Sequence, residues 1–255
     1  ADAQDALAAA WDGGVRYFDT SPWYGIGRSE RRMGQFLSEQ PRDAYVLSTK
    51  VGRLLKPGHP PDSAVWPDPP PFHREYDFSA AGTRRSIEDS LQRMGVDRID
   101  VVFIHDLSPD NRDMGERWTE YFEQARTGAM PELVRMREEG LIRGWGLGVN
   151  SIEPILRTLE VSDPDLFLSA TQYTLVRHQE SLDRLQPACA ARGTSLVIGS
   201  PLNVGFLAGV ERIDYLGTIT DELRDRRTRL QRIAEAHQVD LRTAALQFAA
   251  APEIV

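Results

Sequence analysis

One unit recurs along this chain: an amphipathic helix closed by glycine, a short apolar strand, then a polar loop. Ala3, Leu7, Ala10 and Trp11 share one helical face in residues 1–11, and Gly13-Gly14 stops that helix. Strands are then predicted at 15–19, 45–51, 99–105, 142–148, 166–173 and 195–200, each set off from the next by a helical pattern. The stretch 99–105 (I-D-V-V-F-I-H) is apolar nearly throughout, as a strand buried on both faces must be. Helix starts fall at Ser29, at Ser79 as a cap, near Met130, at Ser151 as a cap, and near Ser181, Thr220 and Leu241. Six strands alternating with helices predict a parallel sheet. A doubly wound fold would want a third glycine after Gly146 and Gly148 in the next helix, and none is there. A (β/α)8 barrel is therefore the expected fold, as one domain over residues 1–255. Its first strand is expected to precede Ala1 and its last to be cut at Val255, with 253–255 reading as the first step of a strand.

Residues 56–78 break the rhythm. They hold seven of the chain's 16 prolines together with Trp66, Phe72 and Tyr76. The segment follows the C-terminal end of a strand, the face on which barrels carry their active-site loops, so it reads as a Pro-rich active-site loop insertion. Composition excludes other classes. A hydrophobic share of 41% with 8% aromatics can bury a core, and a single cysteine, Cys189, rules out a disulfide scaffold. A net charge of −8 argues against nucleic acid as a partner. The absence of a long apolar run argues against a membrane span, and a cytoplasmic location is expected. The five histidines show no H-x-H or H-x-x-x-H pair, so no metal site is expected. Nothing in the pattern predicts the oligomeric state.

The strand ends carry the chemistry. Asp19 closes one predicted strand with Tyr24 just beyond it, Lys50 closes the next, and His105 the one after. Lys50 stands out because only it and Lys56 are lysines among the 30 Lys and Arg residues. That bias fits a GC-rich bacterial genome, and a lysine kept against it points to a need for a compact, tunable ammonium. A phenol, with an ordinary pKa of about 10, becomes an acid–base group near neutrality only if its anion is stabilised. A neighbouring ammonium does that, a carboxylate holds the ammonium charged, and an imidazole orients a substrate oxygen. Such a set needs neither nucleophile nor metal, and its natural partner is hydride transfer to a nicotinamide.

The blocks G-V-R-Y-F-D-T-S-P-W-Y-G, S-T-K-V-G and F-I-H-D resemble, in order and spacing, those of the aldo-keto reductase family. The resemblance runs along essentially the whole chain and implies a (β/α)8 barrel that binds NAD or NADP at the C-terminal face. It implies a catalytic tetrad of Asp19, Tyr24, Lys50 and His105, with Tyr24 the proton donor or acceptor. By position it places cofactor contacts at Asp19, Asn150, Gln172, Ser200, Pro201, Leu202, Gly205 and Leu207. Val149 stands where the family usually has Ser, and Gly199 where many members have an aromatic residue. The segment that reads the adenosine 2′-phosphate lies beyond Val255, so NAD and NADP both stay open.

Within the family, W-Y-G-I-G-R-S-E-R-R-M-G, T-K-V-G-R-L-L and V-I-G-S-P-L-N-V-G are most similar to the aldose 1-dehydrogenase branch. That likeness implies oxidation of a cyclic hemiacetal, from a sugar or pyridoxal, to a lactone. The alternatives are an NADPH-dependent aldehyde or ketone reductase and, in another class, a non-catalytic cofactor-binding regulatory subunit. Loop position makes Trp23, Trp66, Phe72 and Tyr173 the candidate substrate contacts.

Overall fold

The computed structural model describes residues 2–59, 66, 68–215 and 217–255. The chain gathers into two compact units, Ala1–Leu107 with Glu116–Gly146, and Ser108–Gly115 with Leu147–Val255.

The first unit runs α1 (Asp2–Asp12), β1 (Tyr17–Asp19), α2 (Arg28–Leu37), β2 (Val46–Val51), β3 (Arg53–Pro57), β4 (Phe72–Tyr76), α3 (Ala80–Met94), β5 (Val101–His105), α4 (Trp118–Thr127) and α5 (Ala129–Glu138). It ends in β6 (Gly144–Val149), along which the chain passes into the second unit. β1 pairs with β2 and β2 with β5, both parallel. β2 and β5 are buried almost along their length, so apolar side chains point to both faces of this ladder. At the N-terminal ends of these strands Asp100, 2% exposed, holds the frame. Its carboxylate accepts from Leu47 N–H and from Arg42, and its carbonyl accepts from the N–H groups of Arg143 and Gly144. α3 is capped as predicted: the Ser79 hydroxyl accepts from Gly82 N–H, and Gly95 ends it in the left-handed region at φ 65°.

The second unit continues from β6 with α6 (Glu153–Val161), β7 (Leu166–Ala170), α7 (Gln186–Ala191), β8 (Ser195–Gly199), α8 (Asp221–Ala236) and α9 (Leu241–Ala249). β6, β7 and β8 form a parallel ladder. Thr220 and Asp240 cap α8 and α9 through their side-chain oxygens. Ser151 does not cap α6. Its hydroxyl donates instead to Asp110, and Ile152 takes the cap position without a side-chain bond.

Two further expectations are corrected. The Pro-rich segment is not loop throughout: Lys56 and Pro57 finish β3 and Phe72–Tyr76 form β4, an antiparallel ladder with Arg53 opposite Tyr76 and Pro57 opposite Phe72. Residues 60–65 and 67 of that segment lie outside the described residues. Glu253 and Ile254 form a turn closed by Val255 N–H on Pro252 rather than extending into a strand, although Ile254 C=O accepts from Leu196 of β8.

Helices α2 and α3 touch at a glycine. A Cβ on Gly34 would lie 2.1 Å from the Met94 carbonyl oxygen and 2.4 Å from its Cα, and a backbone neighbour cannot swing aside. Gly34→Ala is therefore expected to lower stability by about 1–3 kcal/mol, as overpacking does. Urea titration should show a lower midpoint with an unchanged slope, and an unshifted midpoint would refute the close approach.

Candidate active site

The first unit brings the four strand-end residues together. Asp19 ends β1, Lys50 lies near the end of β2 and His105 ends β5, while Tyr24 lies in the loop between β1 and α2. Parallel register sets Lys50 opposite Phe103 and Ser48 opposite Asp19, which carries the polar ends to one edge of the ladder.

Lys50 is 2% exposed, and its ammonium donates to Asp19 Oδ2 at 2.5 Å and to the Thr20 carbonyl at 2.8 Å. Burial pushes its pKa below the ordinary 10.5, and the Asp19 carboxylate opposes that. Ser48 Oγ lies 2.6 Å from the other Asp19 oxygen. The ammonium sits 4.6 Å from the centre of the Tyr24 ring. The His105 ring meets the Tyr24 ring edge to face, with centroids 5.5 Å apart and planes at 87°. Tyr17 is a poor acid–base group by contrast, because burial drives its phenol up to about 12.

The environment of His105 fixes its state. It is 4% exposed, and burial, followed by the charges of Arg53 and Lys50, holds its pKa well below 6.5. Ser21 Oγ lies 3.0 Å from Nδ1 and already accepts from Trp23 N–H. The Asp106 carboxylate, which only accepts, faces Nε2 at 3.5 Å and favours the proton there, and the Ser21 hydroxyl can then donate to Nδ1. A neutral imidazole that presents an N–H is suited to grip a substrate oxygen without taking its proton.

Around these four stand residues that the sequence reading missed. Arg53, 4% exposed, donates to Asp106 Oδ2 at 2.8 Å, and its guanidinium carbon lies 5.3 Å from the Trp23 ring centre. Asp106 adopts φ 44°, an uncommon conformation for a residue with a side chain. The signal for both was adjacency, since Arg53 closes T-K-V-G-R and Asp106 closes F-I-H-D.

Of the candidate substrate contacts, Trp23 and Trp66 meet edge on with centroids 6.2 Å apart, and Trp66 lines a groove of about 530 Å³ together with Tyr24. Phe72 does not join them. It lies beneath Arg31 and lines a groove with Arg85, Asp89 and Gln92 of α3. Tyr173, in the second unit, stacks on Phe248 at 4.7 Å and is 5% exposed.

The second unit holds the other candidate contacts. Asn150 Nδ2 donates to Asp110, and Gln172 Nε2 donates to the Asn150 carbonyl at 2.5 Å. The loop after β8 winds through left-handed backbone at Ser200, Asn203, Val204, Gly205 and Gly209. Val204 at φ 58° is the costliest of these, being β-branched. Ser200 Oγ lies 3.1 Å from Tyr215 OH, and Asn203 Nδ2 donates to Asp214. Leu202 packs against the cluster of Val176, Phe206, Leu207, Ile213 and Ala245. Leu207 is 1% exposed in that cluster, its N–H is taken by the Leu202 carbonyl, and it borders a groove with Arg227 and Leu241. Gly199 has no room for an aromatic substituent, since a Cβ there would come within 2.9 Å of Leu168 and 3.0 Å of Ala170.

These groups suit a nicotinamide dinucleotide. The side-chain oxygens of Asn150 and Gln172 accept nothing from the described residues, and a primary amide offers them two N–H donors. Among the described residues no cluster of three potential ligands is arranged for a metal, and no helix is long and apolar enough to cross a membrane.

If His105 is neutral in the folded protein, its folded pKa lies below the unfolded value of about 6.5. Its contribution to stability is then complete above that value and is lost as pH falls through the folded pKa. NMR of the His105 ring should show a neutral, Nε2-protonated imidazole with no titration between about pH 6 and 8. A midpoint within that range would contradict the assignment.

Comparison with known proteins gives concordant results. The model of the aldo/keto reductase family matches residues 1–255. The chain is 39% identical over 258 residues to a D-threo-aldose 1-dehydrogenase from a Pseudomonas species, spanning 97% of this chain and 75% of that protein. It is 38% identical over 266 residues to a pyridoxal 4-dehydrogenase from Microbacterium luteolum, spanning 97% and 76%. Among solved structures, the holo form of an aldo-keto reductase from Bacillus halodurans superposes with a TM-score of 0.71 at 22% identity, covering 99% of this chain and 74% of that one. The fold class is that of the α/β barrel.

Proposed function

This chain belongs to the aldo/keto reductase family and is an NAD(P)-dependent oxidoreductase, and we propose that it oxidises a cyclic hemiacetal at its carbinol carbon to a lactone. The substrate class follows the two dehydrogenases at 38–39% identity, one acting on an aldose and one on pyridoxal. The observation that carries the chemistry is the Lys50–Asp19 pair, buried beside the ring of Tyr24.

In this reading Tyr24, as the phenolate, takes the proton from the substrate hydroxyl. The Lys50 ammonium stabilises that phenolate, and Asp19 and the Thr20 carbonyl keep the ammonium charged and aimed. His105 donates Nε2–H to the same substrate oxygen and orients it. A bound nicotinamide supplies the acceptor for the hydride that leaves the carbinol carbon as the C=O bond forms. Asn150 and Gln172 would hold its carboxamide, and the loop from Ser200 through Pro201 and Leu202 to Gly205 would carry the pyrophosphate. Trp23 and Trp66 would line the substrate side. Phe72 and Tyr173 drop out of that set because their rings are engaged elsewhere.

The full-length protein, given NAD or NADP with D-arabinose, L-fucose or pyridoxal at alkaline pH, should generate the reduced nicotinamide absorbance. Silence with all three, alongside rapid NADPH-dependent reduction of simple aldehydes, would overturn the oxidative reading. Tyr24→Phe should lower turnover by about 10²–10⁴-fold with dinucleotide affinity unchanged. Full turnover in that variant would remove Tyr24 from the chemistry.

A further inference from the structure

We propose that Asp110 is a positioning residue that holds the Asn150 side-chain amide with its oxygen presented, so that Asn150 and Gln172 form a pair of acceptors selecting a dinucleotide that bears a primary carboxamide. This rests on the cofactor reading above.

Asp110 lies in the short segment Ser108–Gly115 that packs into the second unit. Its Oδ2 accepts from Asn150 Nδ2 at 3.0 Å. Its Oδ1 accepts from the Ser108 hydroxyl at 2.6 Å and the Ser151 hydroxyl at 3.0 Å. The two serines hold the carboxylate in place, one from each side in sequence. A carboxylate only accepts, so the group that Asn150 turns toward it must be the NH2, and Oδ1 must point the other way. The same logic applies one step on. Gln172 faces the Asn150 backbone carbonyl at 2.5 Å and Thr171 Oγ1 at 3.2 Å, so its NH2 is committed and its Oε1 is presented.

An amide side chain can flip end for end at little cost when nothing distinguishes its two ends. Here the ends are distinguished by Asp110 for Asn150, and by the Asn150 backbone for Gln172. The result is two side-chain carbonyl oxygens, on residues joined by the short bond from the Gln172 NH2 to the Asn150 backbone, with no donor to satisfy them among the described residues. The ligand group with two N–H donors on one atom is a primary amide. An acetyl group in its place has the same shape and no donor, and would leave both acceptors unpaired. This also gives a physical reading of Val149. A serine there would add a donor and an acceptor, whereas here selection falls to a serine two positions later that acts through Asp110.

The test compares binding of the oxidised nicotinamide dinucleotide with that of its 3-acetylpyridine analogue, measured by quenching of tryptophan fluorescence or by calorimetry on the full-length protein. Wild type should prefer the carboxamide form. Asp110→Ala should weaken that form by about threefold to tenfold while the acetylpyridine form is unaffected, so the preference narrows by that factor. Asp110→Asn, which can still accept from Asn150, should retain most of the preference. Loss of both ligands to the same degree in Asp110→Ala would show a merely structural role and overturn the inference. An unchanged preference would do the same while leaving the cofactor reading intact. Failure of the wild type to bind either dinucleotide would overturn the cofactor reading, and this inference with it.

Discussion

A lysine buried to 2% exposure inside a parallel ladder is the constraint around which the first unit is arranged. An isolated ammonium cannot be left there, because the desolvation cost of a charge in the interior amounts to several kcal/mol even after relaxation. It is tolerated because Asp19 and the Thr20 carbonyl meet it within 2.8 Å. That requirement fixes the register of β1 against β2, since a one-residue slip would carry the carboxylate to the other face. Removing one partner of such a pair costs about 3–5 kcal/mol, so pair and register are maintained together.

A second layer holds the first in place, and it is built from the turn into α2. Ser29 Oγ lies 2.9 Å from Thr20 Oγ1, and the fully buried Glu30 accepts from Thr49 at 2.7 Å while Arg93 of α3 bonds its other oxygen at 2.5 Å. Thr20 neighbours Asp19 and Thr49 neighbours Lys50, so α2 grips both strands one residue away from the pair. The loop carrying Tyr24 leads straight into this helix, and the Tyr24 carbonyl accepts from Ser29 N–H. The phenol is thereby tied to the same helix that clamps the carboxylate and the ammonium.

Much of this was legible in the sequence, for reasons that can be named. The strands showed because parallel ladders buried on both faces need unbroken apolar runs, and I-D-V-V-F-I-H has few other uses. Ser79 announced a helix because a side-chain oxygen satisfies an orphan N–H, and the helices expected to begin near Thr220 and Leu241 are capped in the same way by Thr220 and Asp240. Ser151 carried the same signal and was drawn away by a carboxylate 41 residues earlier in the chain, which no local rule can foresee. The β3–β4 ladder was hidden because proline signals turn or edge, and the Pro57–Phe72 end of this ladder opens into a proline-rich stretch. Helix α4 escaped notice because only Phe122 and Ala125 are buried on it, too few to set a period. Phe72 lies against Arg31 rather than with Trp23 and Trp66, because spacing along a loop does not say which way a side chain turns.

The two cations of the first unit show why one was conspicuous and the other was not. A chain that writes arginine for nearly every positive charge gives no weight to one more, so Arg53 passed unremarked although it is as buried as many core residues. Its planar fork suits it to bond Asp106 while lying against Trp23, a role that needs a fixed charge. Lys50 has a different task. A compact ammonium fits among Asp19, the Thr20 carbonyl and the ring of Tyr24, and its pKa shifts with burial, which a guanidinium's does not in any useful range. The fixed charge thus adds to burial in holding the imidazole neutral. The tunable charge lies beside the phenol, where a proton must come and go.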